Sequence, residues 1–118
     1  MADRLFIFEP DYEELIYDTE REVCYYDEID LSDNETINLN IHGLKDWLNK
    51  YVDEVLIPCE TGNTTIDEIN KTFDWKAFHE QGIKFATEVK KLLPSNIRLQ
   101  YRAPFEDKSG IIKDDFFI

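Results

Sequence analysis

Four side chains carry the nucleophilic and soft-ligand chemistry of this sequence: His42, His79, Cys24 and Cys59. A structural zinc site wants close pairs such as C-x2-C or H-x3-H. None of the four stands within fifteen residues of another, and no H-E-x-x-H occurs. The acidic run Asp27 to Glu35 has neither the calcium-loop register nor a glycine for its sharp turn, so it reads as solvated loop. The thiols lie in apolar contexts, Val23-Cys24-Tyr25 and Ile57-Pro58-Cys59, which predicts reduced, inert, buried cysteines. His79 follows Phe78 at the edge of an apolar helix face, the place of a histidine hydrogen-bonded to a strand more than of a general base. G-x-S-x-G, P-loop and dinucleotide fingerprints are missing, and Gly43, Gly62, Gly82 and Gly110 are too scattered to cradle a phosphate. The expectation is a protein with no catalytic residue, no cofactor and no metal.

Carboxylates are the other abundant chemistry, and their placement is lopsided. Residues 1–60 hold 17 Asp and Glu against 4 Lys and Arg, a net of −13, whereas residues 61–118 hold 9 against 9. Such a charge opposes direct nucleic-acid binding, because Lys and Arg on phosphates supply most of that affinity. It suits the reverse, a groove built for phosphates on a basic partner, with acids steering association and tyrosines giving contact area. The expected partner-binding set is Asp11, Glu13, Glu14, Asp18, Glu20, Glu22, Tyr25, Asp27, Glu28, Asp30 and Asp33, with Tyr12, Tyr17 and Tyr26 interleaved. The plainer alternative is a solvated face that keeps the protein in solution, its tyrosines half-buried in strands.

These side chains must be positioned by a folded scaffold, since 42% hydrophobic and 14% aromatic content is too apolar for a disordered acidic chain. Leu5-Phe6-Ile7-Phe8 predicts an inner strand ended by the Glu9-Pro10-Asp11 turn. Glu14 to Tyr17 and Glu22 to Tyr26 predict a hairpin, and Asp27 to Asn38 a loop or irregular edge. Ile41, Leu44, Leu48, Val52 and Val55 recur at helical spacing, predicting a helix over about 41–56, capped by Asn38 or Asn40 and ended before Pro58. Thr65 and Glu68 have capping-box spacing for a short helix.

Asp74 then caps a longer helix, about 75–93, whose face carries Trp75, Phe78, Gly82, Phe85, Ala86, Val89, Leu92 and Leu93 and which Pro94 ends. Gly82 in its middle predicts a strand or helix passing closely above. Ile97, Leu99, Tyr101 and Ala103 alternate as a strand, and Phe116-Phe117-Ile118 return to the sheet or pack under it. The fold expected is α+β over residues 1–118 as one domain: a single-layer antiparallel or mixed sheet covered by the two main helices. The apolar run at the N-terminus is only four residues long and no membrane span occurs, which predicts a cytoplasmic protein.

Asp74-Trp75, Phe78-His79, Gly82, Ala86, Leu92-Leu93-Pro94, Tyr101 and Pro104-Phe105-Glu106-Asp107 resemble the C-terminal half of small acidic bacterial immunity proteins, which pair with secreted or contact-delivered toxins. The resemblance covers roughly residues 72–110. It implies a cytoplasmic protein that blocks one cognate toxin without a cofactor, and the toxins concerned are often nucleases with basic clefts. It carries over no binding residue. Beside this reading stand an acidic nucleic-acid mimic that inhibits DNA-binding enzymes, and an enzyme using His79 or Cys24.

Overall fold

The computed structural model describes residues 4–118. In chain order the elements are β1 (Arg4–Asp11), β2 (Glu14–Asp18), β3 (Val23–Tyr25), β4 (Glu28–Ser32), β5 (Glu35–Asn38), α1 (Leu44–Tyr51), a π-helical turn (Val52–Leu56), α2 (Ile57–Glu60), α3 (Ile66–Thr72), α4 (Trp75–Leu92), β6 (Ile97–Tyr101) and β7 (Phe116–Phe117). Five strands form a mixed sheet in the order β3-β2-β1-β6-β7, and β4-β5 form a second, two-stranded sheet. Only β1 and β6 run parallel within the large sheet. The architecture is α+β, with the apolar inner strand and the long helix where the hydrophobic patterns put them.

Register decides which residues meet the helices. Phe6 lies beside Leu99 and Phe8 beside Tyr101 across the parallel pair, so these four large side chains share one face of the sheet. All are fully buried. Trp47 of α1 packs its ring 5.8 Å from Phe8 and stacks on Phe78 of α4 at 4.5 Å, while its Nε1–H donates to the Phe78 carbonyl at 2.9 Å. Burying an aromatic of this size contributes about 2–3 kcal/mol. Gly82 is the point of closest approach: a Cβ there would stand 2.5 Å from Tyr101 Oη and 2.7 Å from Trp47 Cζ2. A strand and a helix both pass over this glycine.

Several boundaries differ from the sequence-based expectation. β1 continues through Glu9 and Pro10 with a bulge before Asp11, because Pro10 is buried against the core rather than turned out. Where a loop or irregular edge was expected over Asp27 to Asn38, β4 and β5 form a separate hairpin with a register shift between Asp30 and Ser32, anchored by fully buried Ile29 opposite Ile37. The first helix starts at Leu44, after Gly43 in a left-handed conformation (φ 86°), with no side-chain cap from Asn38 or Asn40. It also passes Pro58 to end at Glu60. The π turn permits this: Ile57 N–H bonds the Val52 carbonyl five residues back, and the widened turn accommodates a proline that lacks its own N–H. Leu92, expected in the buried stripe, is exposed at the last turn of α4. The caps at Thr65 and Asp74 form as expected, accepting from Glu68 N–H and Ala77 N–H.

Candidate interaction surface

His79 is the most constrained of the chemically capable side chains. Helix α4 turns it inward, its Nδ1 lies 2.8 Å from Tyr101 Oη of β6, and its Nε2 lies 2.6 Å from Asp107 Oδ2. Asp107 is held by the loop after β6, where its N–H bonds the Pro104 carbonyl and its Oδ1 accepts from Ser109 N–H. Asn70 of α3 fixes that loop from the other side, donating to the Glu106 carbonyl and accepting from Lys108 N–H. Burial first, and the Asp107 charge second, push the Tyr101 hydroxyl above its ordinary range, so it keeps its proton. The direction of the bond between Nδ1 and the Tyr101 hydroxyl follows the tautomer, while on the other side of the ring Nε2–H faces the Asp107 carboxylate as its acceptor. Every polar atom of the imidazole is engaged inside the core, which gives it the work of a clasp joining α4, β6 and the following loop.

The cysteines are placed otherwise than expected. Cys24 is exposed on β3 and Cys59 is half-buried, so neither is a core thiol; both are free. Partial desolvation, then the hydrogen bond the thiol donates to Glu14 and that carboxylate's charge, push the Cys24 thiol up to about 11, and desolvation raises Cys59 as well. Their thiolates are minor species at neutral pH, the opposite of an activated nucleophile. Among the described residues, no three His, Cys, Asp or Glu side chains converge as a metal-holding group, and no helix is long and apolar enough to cross a membrane.

Two members of the expected partner-binding set are internal. Asp18 is fully buried, accepting from Arg4 at 2.7 Å, from the Glu20 and Arg21 N–H groups and from Tyr25 Oη at 3.2 Å. Tyr25 is buried with it, also reaching the Asp30 carbonyl, while Arg4 donates to the Leu31 carbonyl. This network docks the β4-β5 hairpin on the main sheet, and it removes Asp18 and Tyr25 from any surface. Sequence reasoning placed them outside because both sit in an acidic run. Their partner Arg4, fourteen residues away from Asp18, was the signal available.

The other nine, Asp11, Glu13, Glu14, Glu20, Glu22, Asp27, Glu28, Asp30 and Asp33, are exposed, but they are not one cluster. Glu13 and Glu14 stand at the β1-β2 turn and Glu20 and Glu22 at the β2-β3 turn, opposite ends of β2 and about 15 Å apart along the strand. Asp27, Glu28, Asp30 and Asp33 belong to the small hairpin, where Asp27 pairs with Lys45 at 3.7 Å. Comparison of the chain with known protein families, with curated proteins and with solved structures finds no match. Local chemistry therefore has to distinguish among these groups.

The β1-β2 end differs from the others. Two clefts flank the β1-β2 turn where it meets the π-helical turn. One, of about 300 Å³, is lined by Glu9, Pro10, Asp11, Tyr51, Leu56, Glu60, Pro104, Phe105 and Glu106. The other, of about 230 Å³, is lined by Tyr12, Glu13, Tyr26, Leu48, Asn49, Val52, Asp53 and Ile57. Together they present six carboxylates and no Lys, Arg or His among the described lining residues. Burial raises Glu9 above the usual carboxylate range; Arg102 opposes this, while Asp11, Asp115 and Glu106 reinforce it. Tyr51 Oη donates to Glu106, and burial with that bond lifts the phenol far above its ordinary value. Asp53, Glu60 and Glu106 escaped the sequence reading because only the fold brings these positions to the β1-β2 turn, whereas Glu9 was read as part of that turn and not as a binding residue.

Proposed function

We propose that this chain is an immunity-type protein that neutralises a cognate toxin, binding a basic protein partner through its acidic side in the cytoplasm. One observation carries the reading. Of the 17 acids in residues 1–60, leaving out Asp3, half-buried Glu9 and buried Asp18, 14 are exposed. Of the four cations in that half, Arg4 is committed to Asp18 and Lys45 pairs with Asp27. So much uncompensated charge is self-repulsive and is relieved by a basic surface. The engagement of both His79 nitrogens inside the core, together with raised thiols at Cys24 and Cys59, favours binding over catalysis through these groups.

The test is capture from a source-cell lysate with this chain as bait, elution in salt steps, and assay of the eluted protein with and without the chain. The expected result is one basic protein in equal amount, inhibited 1:1, with an association rate that falls as salt rises. Several DNA-binding proteins that DNA displaces would replace this reading with the nucleic-acid mimic. A captured protein whose activity the chain leaves untouched would sink it.

A further inference from the structure

We infer that the partner seats on the end of the molecule where the β1-β2 turn meets the π-helical turn, and that it presents there a strip of arginine or lysine with apolar side chains between the cations. This rests on the reading of the chain as a binder of a basic protein and assigns the surface and the chemistry of what covers it.

Three of the seven exposed large hydrophobic side chains among the described residues line the clefts of this end, while Val23, Leu92, Ile111 and Phe117 line neither. Tyr12 is 55% exposed, Ile57 38% and Phe105 70%, the last being the most exposed large hydrophobic side chain among the described residues. They stand in the two clefts described above, and the clefts are joined through the chain neighbours Asp11-Tyr12 and Leu56-Ile57. Exposed apolar side chains gathered inside a polar rim mark interaction sites, and aromatic anchors supply most of the affinity there.

Charge determines the occupant. The charged lining, with Glu13 and Asp53 on one side of the turn and Glu60 on the other, is acidic, and Lys108 lies beside it over Phe105. A purely apolar partner would strip water from these carboxylates without compensation, whereas a cationic one pairs them. Phe105 already serves as a cation seat: Lys108 Nζ stands 4.2 Å from its ring centroid. A guanidinium stacks there more favourably than an ammonium, because it is planar and less strongly hydrated. A larger cleft of about 650 Å³, with Ile41, Phe85 and Leu92 in its lining, also holds His42, Lys84 and Glu88. Its mixed charge selects no partner of one sign, and the small hairpin offers acids without a large exposed apolar side chain.

The probe is a synthetic dodecapeptide repeating Arg-Arg-Leu, titrated into the 15N-labelled full chain, with the all-arginine dodecapeptide as reference. Amide shifts are expected to concentrate in residues 10–14, 52–60 and 104–107. Tyr12→Ser with Phe105→Ser should weaken the leucine-containing peptide about tenfold while changing the all-arginine peptide far less. Glu13→Lys with Glu60→Lys should weaken both. If instead the shifts map to residues 27–38 and reversal of Asp27, Glu28 and Asp30 weakens binding, the assigned surface is overturned while the basic-partner reading stands. If both peptides bind with equal, diffuse shifts that salt abolishes, the apolar component is overturned. Absence of binding by either peptide even at low salt overturns the basic-partner reading itself.

Discussion

His79 Nε2 and Asp107 Oδ2 meet at 2.6 Å with both side chains only 2% exposed, and they join a helix to a loop 28 residues further along the chain. A buried N–H deprived of its acceptor costs far more than the intact bond contributes. Asp107→Ala is therefore expected to destabilise the protein by about 3 kcal/mol. Asp107→Asn keeps an oxygen for the imidazole and is expected to cost about 1–2 kcal/mol. Urea unfolding of the two variants checks this, and equal small losses would show that the pair contributes little.

Where one element's own residues set its structure, the sequence was legible. Asp74 and Thr65 cap their helices through bonds made within one turn, and the alternation over 97–101 needs only its own period. The end of the first helix was not legible, because Pro58 breaks an ordinary helix and the π turn that admits it is a tertiary outcome. The β4-β5 hairpin was hidden for a similar reason: its solvent side is so acidic that Ile29, Leu31 and Ile37 alone carry the strand signal. The acidic end was half legible. Asp11, Glu13 and Glu14 stood out as a run, but Glu60 and Glu106 arrive from a helix and a loop far along the chain.

Gly82→Ala reverses the usual sign of a helical glycine substitution. On a solvent-facing position the change stabilises by about 1 kcal/mol. Here the new methyl meets Tyr101 Oη and Trp47 Cζ2 at overlapping distances, and both groups are pinned, one by His79 and the other by the Phe78 carbonyl. Overpacking of this kind costs about 1–3 kcal/mol, which offsets the helical gain and leaves an expected net loss of about 1 kcal/mol. Thermal unfolding followed by near-UV circular dichroism reads it directly through Trp47.

Asp18→Ala removes the acceptor for Arg4, two backbone N–H groups and Tyr25 Oη at once. It leaves the Arg4 guanidinium with only the Leu31 carbonyl and exposed Glu20 as partners and loosens the β4-β5 hairpin, at an expected cost of about 3 kcal/mol. Hydrogen exchange distinguishes this from a general loss of stability. Amides of residues 28–38 should lose protection first, while those of β6 keep theirs until global unfolding.

The raised Glu9 carboxyl gives stability a defined pH dependence. Its folded value lies above the ordinary 4.5, chiefly through burial, so its favourable contribution is complete below the unfolded value and is lost as pH rises through the folded one. Glu9→Gln abolishes that loss. The variant is expected to be more stable than the parent near neutral pH, with the difference closing below about pH 4, where both side chains are neutral. Urea midpoints across the range test the sign, and a parent more stable than the variant at neutral pH would refute it.

Glu13 and Glu22 both hold left-handed backbone conformations, with φ of 52° and 56°, at turns on opposite ends of β2. Glycine adopts that region without the clash a Cβ brings, so each Glu→Gly substitution is expected to raise stability by about 1 kcal/mol. Their effects on binding should part company. Glu13 lies on the rim of the cleft that holds Tyr12 and Ile57, whereas Glu22 lies at the far turn. Glu13→Gly should therefore weaken the Arg-Arg-Leu peptide even as it stabilises the fold, and Glu22→Gly should stabilise without that penalty. Parallel calorimetric melts and peptide titrations of the two variants separate a carboxylate kept at a strained turn for binding from one that is merely tolerated there; equal losses of affinity would mean that only net charge matters.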